Sequence, residues 1–457
     1  MFTTDKQGRF FLKNEKPHFF LSDTAWMSFS NPTLDEFEEY TKFRAEQGFN
    51  SFLIMNTPIF SDMSDNVRWF PFHINGDGSI DFNNINDEYF ENAREKLKVM
   101  RNYGITPFIG LVWGSYLKGS SLEAYFECEG KQFETFDQFA NFIDYSIEAY
   151  KEFKPVWIVG GDIALKGDIL YQYLSMAKMI RKKCIGDLIG IHVPDGTFVP
   201  EEFFKDGLID FYTYQAGHIF DSEDDAKKPA MMAKKYYSLE PKLPIMNFEP
   251  MYEAHGFGNR FGRFNEFYLR RSFWYSILSG ANAGFVYGAH GTWMFFDRNA
   301  SFNNERWSKI PLNWRAAMEL PGSYDTAYNQ NIYMLYDMFR LQPCQSLNMT
   351  DYHEILAAAD VEKNLIAVYT PFTNYLILDV DLTKYDCKWY LLDHSKKVIN
   401  PEIRLTSGEE HAEKFIRSSK GQKNPTLLSP EAKEKKVLSY VGMYQYNCDG
   451  LLVCVKK

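Results

Sequence analysis

Val156-Trp157-Ile158-Val159-Gly160-Gly161-Asp162 is a short apolar run that ends in two glycines and an acid, and it reads as a buried strand delivering a carboxylate to a cleft. Packing gives no reason for such a strand to end in a bare charge. Glycines beside the acid leave room for a ligand or another backbone to come close. Leu243-Pro244-Ile245-Met246-Asn247-Phe248-Glu249 is a second apolar run ending in an acid. The interval between the two acids is about three of the ~30-residue strand–helix units of a ~250-residue barrel. Read as strands 4 and 7, the runs place Asp162 and Glu249 across one mouth.

The same texture extends outward in both directions. Upstream, residues 17–26, 49–56 and 105–114 read as strands 1 to 3, with Asp23 and Trp26, Asn56, and Trp113 at their open ends. Asn31-Pro32-Thr33-Leu34-Asp35-Glu36-Phe37 opens a helix with a capping residue and early acids, and Gly48 closes it. Further helices are expected over residues 87–103 and 136–153, and a long aromatic loop through Trp69 and Phe72 to Asp81 is expected to carry specificity. Downstream, residues 169–183 and 270–278 read as helices, and residues 188–194, 210–218 and 283–293 as strands 5, 6 and 8. Eight such repeats predict an α/β fold of the (β/α)8 TIM-barrel class.

After a helical stretch over residues 314–339 the texture changes at Leu341-Gln342-Pro343 to short strands near 365–369, 375–378, 388–392 and 451–455. These predict a smaller antiparallel β-sandwich, giving a barrel domain over 1–340 and an accessory domain over 341–457 whose expected role is structural support. The charged runs at 409–423 and 431–436 read as solvated loops.

With 457 residues, two domains are the default expectation. A net charge of −10, with no basic run, argues against nucleic acid as a partner. No apolar run reaches the ~18 residues of a membrane span. Aromatic residues make up 17% of the chain, which suits either sugar-stacking surfaces or an aromatic core. Cys128, Cys184, Cys344, Cys387, Cys448 and Cys454 show no paired spacing and read as reduced thiols. With no leader pattern in Met1-Phe2-Thr3-Thr4-Asp5-Lys6, a cytoplasmic location is expected.

Two carboxylates across a barrel mouth are what glycosidic-bond hydrolysis requires, one protonated at the leaving oxygen and one ionised at the anomeric carbon. Asp162 suits the acid/base role and Glu249 the nucleophile. The competing reading for Asp162 is a helix cap, and Glu253 competes with Glu249 for its role. Neighbours such as Tyr287 or His218 would keep Glu249 ionised by hydrogen bonding. Trp26, Trp113, Tyr252, Tyr287 and Trp293 are candidates for stacking on sugar rings, and Asp23, Asn56, His192, Gln215, His218 and Glu253 for bonding hydroxyls. His192, His218 and His290 at strand ends invite a metal reading, but strand 1 lacks the histidine pair that hydrolytic metal barrels usually open with. No metal and no cofactor are expected, and the oligomeric state is left open. A catalytically silent glycan-binding barrel and a metal-dependent hydrolase are the alternative readings.

Taken together, Ser22-Asp23-Thr24-Ala25-Trp26, Trp157-Ile158-Val159-Gly160-Gly161-Asp162, Gln215-Ala216-Gly217-His218, Glu249-Pro250-Met251-Tyr252-Glu253 and Tyr287-Gly288-Ala289-His290-Gly291-Thr292-Trp293 resemble the apiosidase-like catalytic-domain family, a glycoside hydrolase family 140 type of barrel. The strings run in family order. The resemblance implies that Asp162 is the acid/base, that the Glu249 segment supplies the nucleophile, and that the substrate is a plant-type pectic oligosaccharide. Ile163 and Asn247-Phe248 depart from the residues usual beside the two acids in that family.

Overall fold

The computed structural model describes residues 2–60, 67–124, 130–258, 262–302, 304–350, 352–372, 375–410, 429–442 and 448–457. Cys128, most of the charged run at 409–423 and part of the loop after strand 2 lie outside the described residues. Eight strands, β1 (Phe20–Thr24), β2 (Ser51–Met55), β3 (Thr106–Gly110), β4 (Val156–Val159), β5 (Ile189–Ile191), β6 (Tyr212–Gln215), β7 (Ile245–Glu249) and β8 (Gly284–Tyr287), pair in the order β5-β4-β3-β2-β1-β8-β7-β6. All the pairings are parallel. Asp210 N–H to the Ile189 carbonyl, at 2.8 Å, and the Thr213 hydroxyl to the Ile191 carbonyl bridge β5 to the β6 segment and close the barrel.

The helices α1 (Leu34–Gln47), α2 (Asp87–Asn102), α3 (Phe136–Tyr150), α4 (Gly167–Lys183), α5 (Glu201–Lys205), α6 (Lys228–Ser238), α7 (Glu266–Ile277) and α8 (Pro321–Leu335) follow the strands in turn. Thr33 and Glu36 cap each other's backbone at the start of α1, as the sequence pattern implies. The aromatic excess goes largely to the core. Phe20, Phe108, Phe211 and Phe248 meet inside the barrel, and Phe11, from the N-terminal antiparallel strands, plugs them from below with ring centroids 5.3 Å from Phe20 and 5.2 Å from Phe211. Phe72, in the loop after β2, packs 4.7 Å from Phe142 of α3 instead of serving a binding face.

Strand alternation sends every second side chain outward to the helices, and buried polar groups there tie strands to helices. Asp23 accepts from Arg44 Nε at 2.5 Å and Tyr40 Oη at 2.7 Å, both on α1. Asn56 bonds Ser146 at 3.0 Å and Tyr150 at 2.7 Å, both on α3. Glu253 accepts from Tyr287 Oη at 2.6 Å and from the Gly322 N–H at 3.0 Å, which anchors the start of α8. A Cβ at Gly322 would stand 2.5 Å from the Glu253 carboxylate, so no larger residue fits without displacing it.

Beyond the barrel a six-stranded antiparallel sheet is laid against α7 and α8. It is built from Gln342–Pro343, Leu356–Ala359, Leu365–Thr370, Gly450–Lys456, Tyr385–Leu391 and Val398–Ile399, in that spatial order. One face, with Ala358, Ala367, Tyr369, Leu451 and Val453, packs on Phe273, Trp274, Ile332 and Tyr333. The other face, with Ala357, Ile366, Val368 and Leu452, packs on a three-stranded sheet through Leu376, Leu378 and Val441. Period-two alternation thus makes a sandwich with one outer face committed to the barrel. Among the described residues, Cys184, Cys344, Cys387, Cys448 and Cys454 are unbridged, and no helix is long and apolar enough to cross a membrane.

Arg270 of α7 joins the two parts. It donates to Asp449, ahead of the last strand, at 2.8 to 3.0 Å and to Asp325 of α8 at 2.6 Å, with its side chain only 7% exposed. Removing one member of a buried ion pair costs roughly 3–5 kcal/mol because the other charge is left uncompensated. Arg270→Ala is therefore expected to destabilise the protein by about that amount in urea unfolding, with Arg270→Lys recovering only part.

Candidate functional site

A cleft of about 580 Å3 opens at the C-terminal ends of the barrel strands, within the size range of small-molecule sites. Trp26, Trp113, Asp162, Gln215, His218, Glu249, Tyr252 and Trp293, all singled out by the sequence, line it. Asp162 follows β4, and Glu249 is the last residue of β7.

The two glycines before Asp162 serve the approach of backbone, not of a ligand. A Cβ at Gly160 would lie 2.4 Å from the His192 carbonyl, and one at Gly161 would lie 2.8 Å from Trp113 Cα and Gly114 N. Gly161 accepts a 3.0 Å hydrogen bond from Gly114 N–H, which ties the ends of β3 and β4 together. Asp162 follows in the left-handed region, at φ 54°. The helix-cap alternative is not what forms here, because the residue at the cap of α4 is Lys166.

Glu249 is buried, and its carboxylate is ringed by N–H donors from neighbouring strands. Gln215 Nε2 at 2.8 Å and His218 Nε2 at 3.0 Å reach Oε1, and His192 Nε2 at 3.0 Å reaches Oε2. Burial alone would raise its pKa, but the hydrogen bonds from His192 and His218 outweigh that and hold it down at about 2. The Gln215 contact depends on an irregularity in strand register. Tyr214 pairs with Asn247, but the next residue, Gln215, pairs with Glu249, skipping Phe248. That one-residue shift sets the amide beside the carboxylate.

Aromatic rings wall the site. His192 is held among Trp26 at 5.3 Å, Trp113 at 5.6 Å and Phe248 at 6.4 Å. His218 lies between Tyr252 at 4.4 Å and His255 at 4.3 Å, and Tyr252 meets Trp293 at 4.9 Å.

Four expected substrate contacts are placed elsewhere. Asp23, Asn56 and Tyr287 turn to the helix layer, and Glu253 bonds Tyr287 and the α8 backbone. The reason is alternation: at a strand end, a shift of one residue exchanges the mouth for the helices. Tyr287 accordingly serves Glu253 rather than Glu249. Burial raises the Glu253 pKa to about 7, so the two glutamates differ sharply in charge state. His192 reaches Glu249 but does not itself line the cleft.

Other lining residues went unmarked in the sequence. Asp195 follows Pro194 beyond β5 and could have been found as another strand-end acid; Lys228 holds it at 3.0 Å. His255 lies two residues past Glu253, in the loop after β7, where no periodicity marks it. Asn304 and Trp307 come from the long segment between β8 and α8, where no pattern marks them. His290 donates to the Lys309 carbonyl at 2.7 Å. Among the described residues, no group of three or more His, Cys, Asp or Glu is arranged to hold a metal ion.

Residues 5–340 match the family described as "Apiosidase-like, catalytic domain". Among the solved structures that resemble the whole chain, one is titled "Glycoside hydrolase", with a TM-score of 0.75 at 18% identity, covering 100% of this chain and 97% of its own. Another is a glycoside hydrolase family 5 protein from Bacteroides vulgatus, also with a TM-score of 0.75 at 18% identity, covering 100% of this chain and 93% of its own. At that identity the likeness speaks for the fold. No curated protein matches the sequence. The family match spans the barrel and every residue that lines its cleft, so the chain belongs to the apiosidase-like catalytic-domain family and is a glycoside hydrolase.

Proposed function

We propose that the protein cleaves O-glycosidic bonds of plant-type, pectic oligosaccharides with retention of configuration, using Asp162 as acid/base and Glu249 as nucleophile. The observation that carries this is the carboxyl group of Glu249, with nitrogen hydrogen-bond partners on both oxygens, in an aromatic cleft that also contains Asp162. In the first step a Glu249 oxygen bonds to the anomeric carbon as the bond to the leaving oxygen breaks and Asp162 gives that oxygen its proton. In the second, Asp162 takes a proton from water, the water oxygen bonds to the anomeric carbon, and Glu249 is released. Tyr252, Trp293, Trp26 and Trp113 supply apolar surface for the sugar ring. The unbridged cysteines fit a reducing compartment and a cytoplasmic enzyme acting on imported oligosaccharides.

The test is hydrolysis of a panel of 4-nitrophenyl glycosides and pectic oligosaccharides, including apiosides and arabinosides. Glu249→Gln is expected to lower kcat at least 100-fold on every substrate cleaved, in line with the ~10²–10⁴ typical of such groups. Asp162→Asn is expected to lose about as much in kcat/KM on oligosaccharides but much less in kcat/KM on 4-nitrophenyl glycosides, whose leaving group needs no proton, while kcat falls on both because the second step lacks its base. Proton NMR of the first-formed sugar is expected to show the anomer of the substrate. Full activity in either variant, or an inverted product, contradicts the assignment. A wild type that binds the oligosaccharides and cleaves none of them points to a silent barrel instead.

The donors around Glu249 make a second prediction. Its pKa of about 2 lies below the usual carboxylate value, so the ionised form persists as pH falls and is lost only on approach to 2. Replacing His218 by Phe removes a donor and raises that pKa. The acidic limb of kcat/KM should then move to higher pH by about one unit or more. An unmoved limb excludes Glu249 as the group that must be ionised.

A further inference from the structure

His255 lies in the cleft wall, is buried, and has one of its two ring nitrogens committed. Nδ1 stands 2.7 Å from the carbonyl oxygen of Gly256. A carbonyl only accepts, so Nδ1 carries the proton. Burial, with His218 and His290 alongside, pushes the His255 pKa well below the usual imidazole value, so the ring is neutral. A neutral ring protonated at Nδ1 has a bare lone pair at Nε2, and among the described residues no partner meets that atom. The ring is also fixed in place. It stacks on His218 at 4.3 Å with planes 24° apart, and it is backed by His290 at 5.2 Å and Trp293 at 6.0 Å. His255 Nε2 is thus a fixed hydrogen-bond acceptor in a cleft wall shared with Tyr252 and Trp293.

A sugar presents an apolar ring face edged by hydroxyl donors. We propose that His255 is a specificity-determining residue whose Nε2 accepts a hydrogen bond from a hydroxyl of the sugar seated against Tyr252 and Trp293. The inference rests on the glycosidase reading for the nature of the ligand. It rests on the Gly256 contact for the polarity of the bond. A sugar whose hydroxyl at this position is methylated or absent leaves the lone pair unmet and is rejected.

Two variants separate the lone pair from the ring. With the 4-nitrophenyl glycoside that the wild type cleaves, His255→Phe keeps an aromatic ring and removes the acceptor. KM should rise about tenfold, the cost of one buried sugar hydroxyl left without its acceptor, with kcat changed much less. His255→Gln keeps an acceptor and should recover most of the loss. Equal losses in both variants, or a His255→Phe KM equal to wild type, overturn the proposal. Histidine ¹⁵N NMR of the intact protein reads the same atom without catalysis, the His255 signal being the one missing from His255→Gln. At pH 7, Nε2 should be the unprotonated nitrogen, and saturating L-arabinose or D-apiose should shift it. A protonated Nε2, or one unmoved by either sugar, overturns the inference. A wild type that cleaves no glycoside counts against the glycosidase reading, and the nitrogen resonance then decides this one.

Discussion

A carboxylate stays ionised out of water only where donors replace the water it has lost, and the organisation of the barrel mouth follows from that need at Glu249. Its three donors come from two strand ends, His192 after β5, and Gln215 at the end of β6 with His218 just beyond it. They converge only because β5, β6 and β7 lie side by side, and because the register between β6 and β7 slips by one residue at Gln215. A hydrogen bond to a charged group is worth roughly 1.5–3 kcal/mol, so three of them offset a desolvation penalty of several kcal/mol. Aromatic packing holds the donors still: His192 is wedged by Trp26 and Trp113, and His218 by Tyr252 and His255.

The same economy of buried polar groups organises the rest of the molecule. Asp23 with Arg44 locks β1 to α1, Glu253 with Tyr287 and Gly322 fixes the start of α8, and Arg270 with Asp449 and Asp325 fastens the sandwich to the barrel. Each carboxylate meets a donor on a different element. Phe20, Phe108, Phe211 and Phe248 meet inside the barrel, and the site rests on that floor through Phe248, the residue before Glu249.

The architecture was legible because it repeats. Eight apolar runs separated by helical patterns admit few folds, and the runs ending in Asp162 and Glu249 stood out because a buried strand has no packing use for a terminal charge. The site itself was legible only in part, for a geometric reason. Which residue of a strand end faces the mouth depends on a phase that one residue reverses, and Asp23, Asn56 and Tyr287 fell on the helix side. The glycines at 160 and 161 mark sites of close approach, and the approaching group is backbone from the end of β3 and from the end of β5. His255, Asn304 and Trp307 were invisible because loop geometry brings them to the cleft, and no period in the sequence encodes that.

The most direct measurement of the central claim uses Asp162→Asn with a 4-nitrophenyl glycoside that the wild type hydrolyses. The good leaving group departs without an acid, but the second step lacks its base, so the glycosyl–enzyme should accumulate. Mass spectrometry of the quenched protein is expected to find one added sugar residue, and peptide mapping to place it on Glu249. A sugar on Glu253 or on any other residue would contradict the account, as would an unmodified enzyme releasing the inverted anomer.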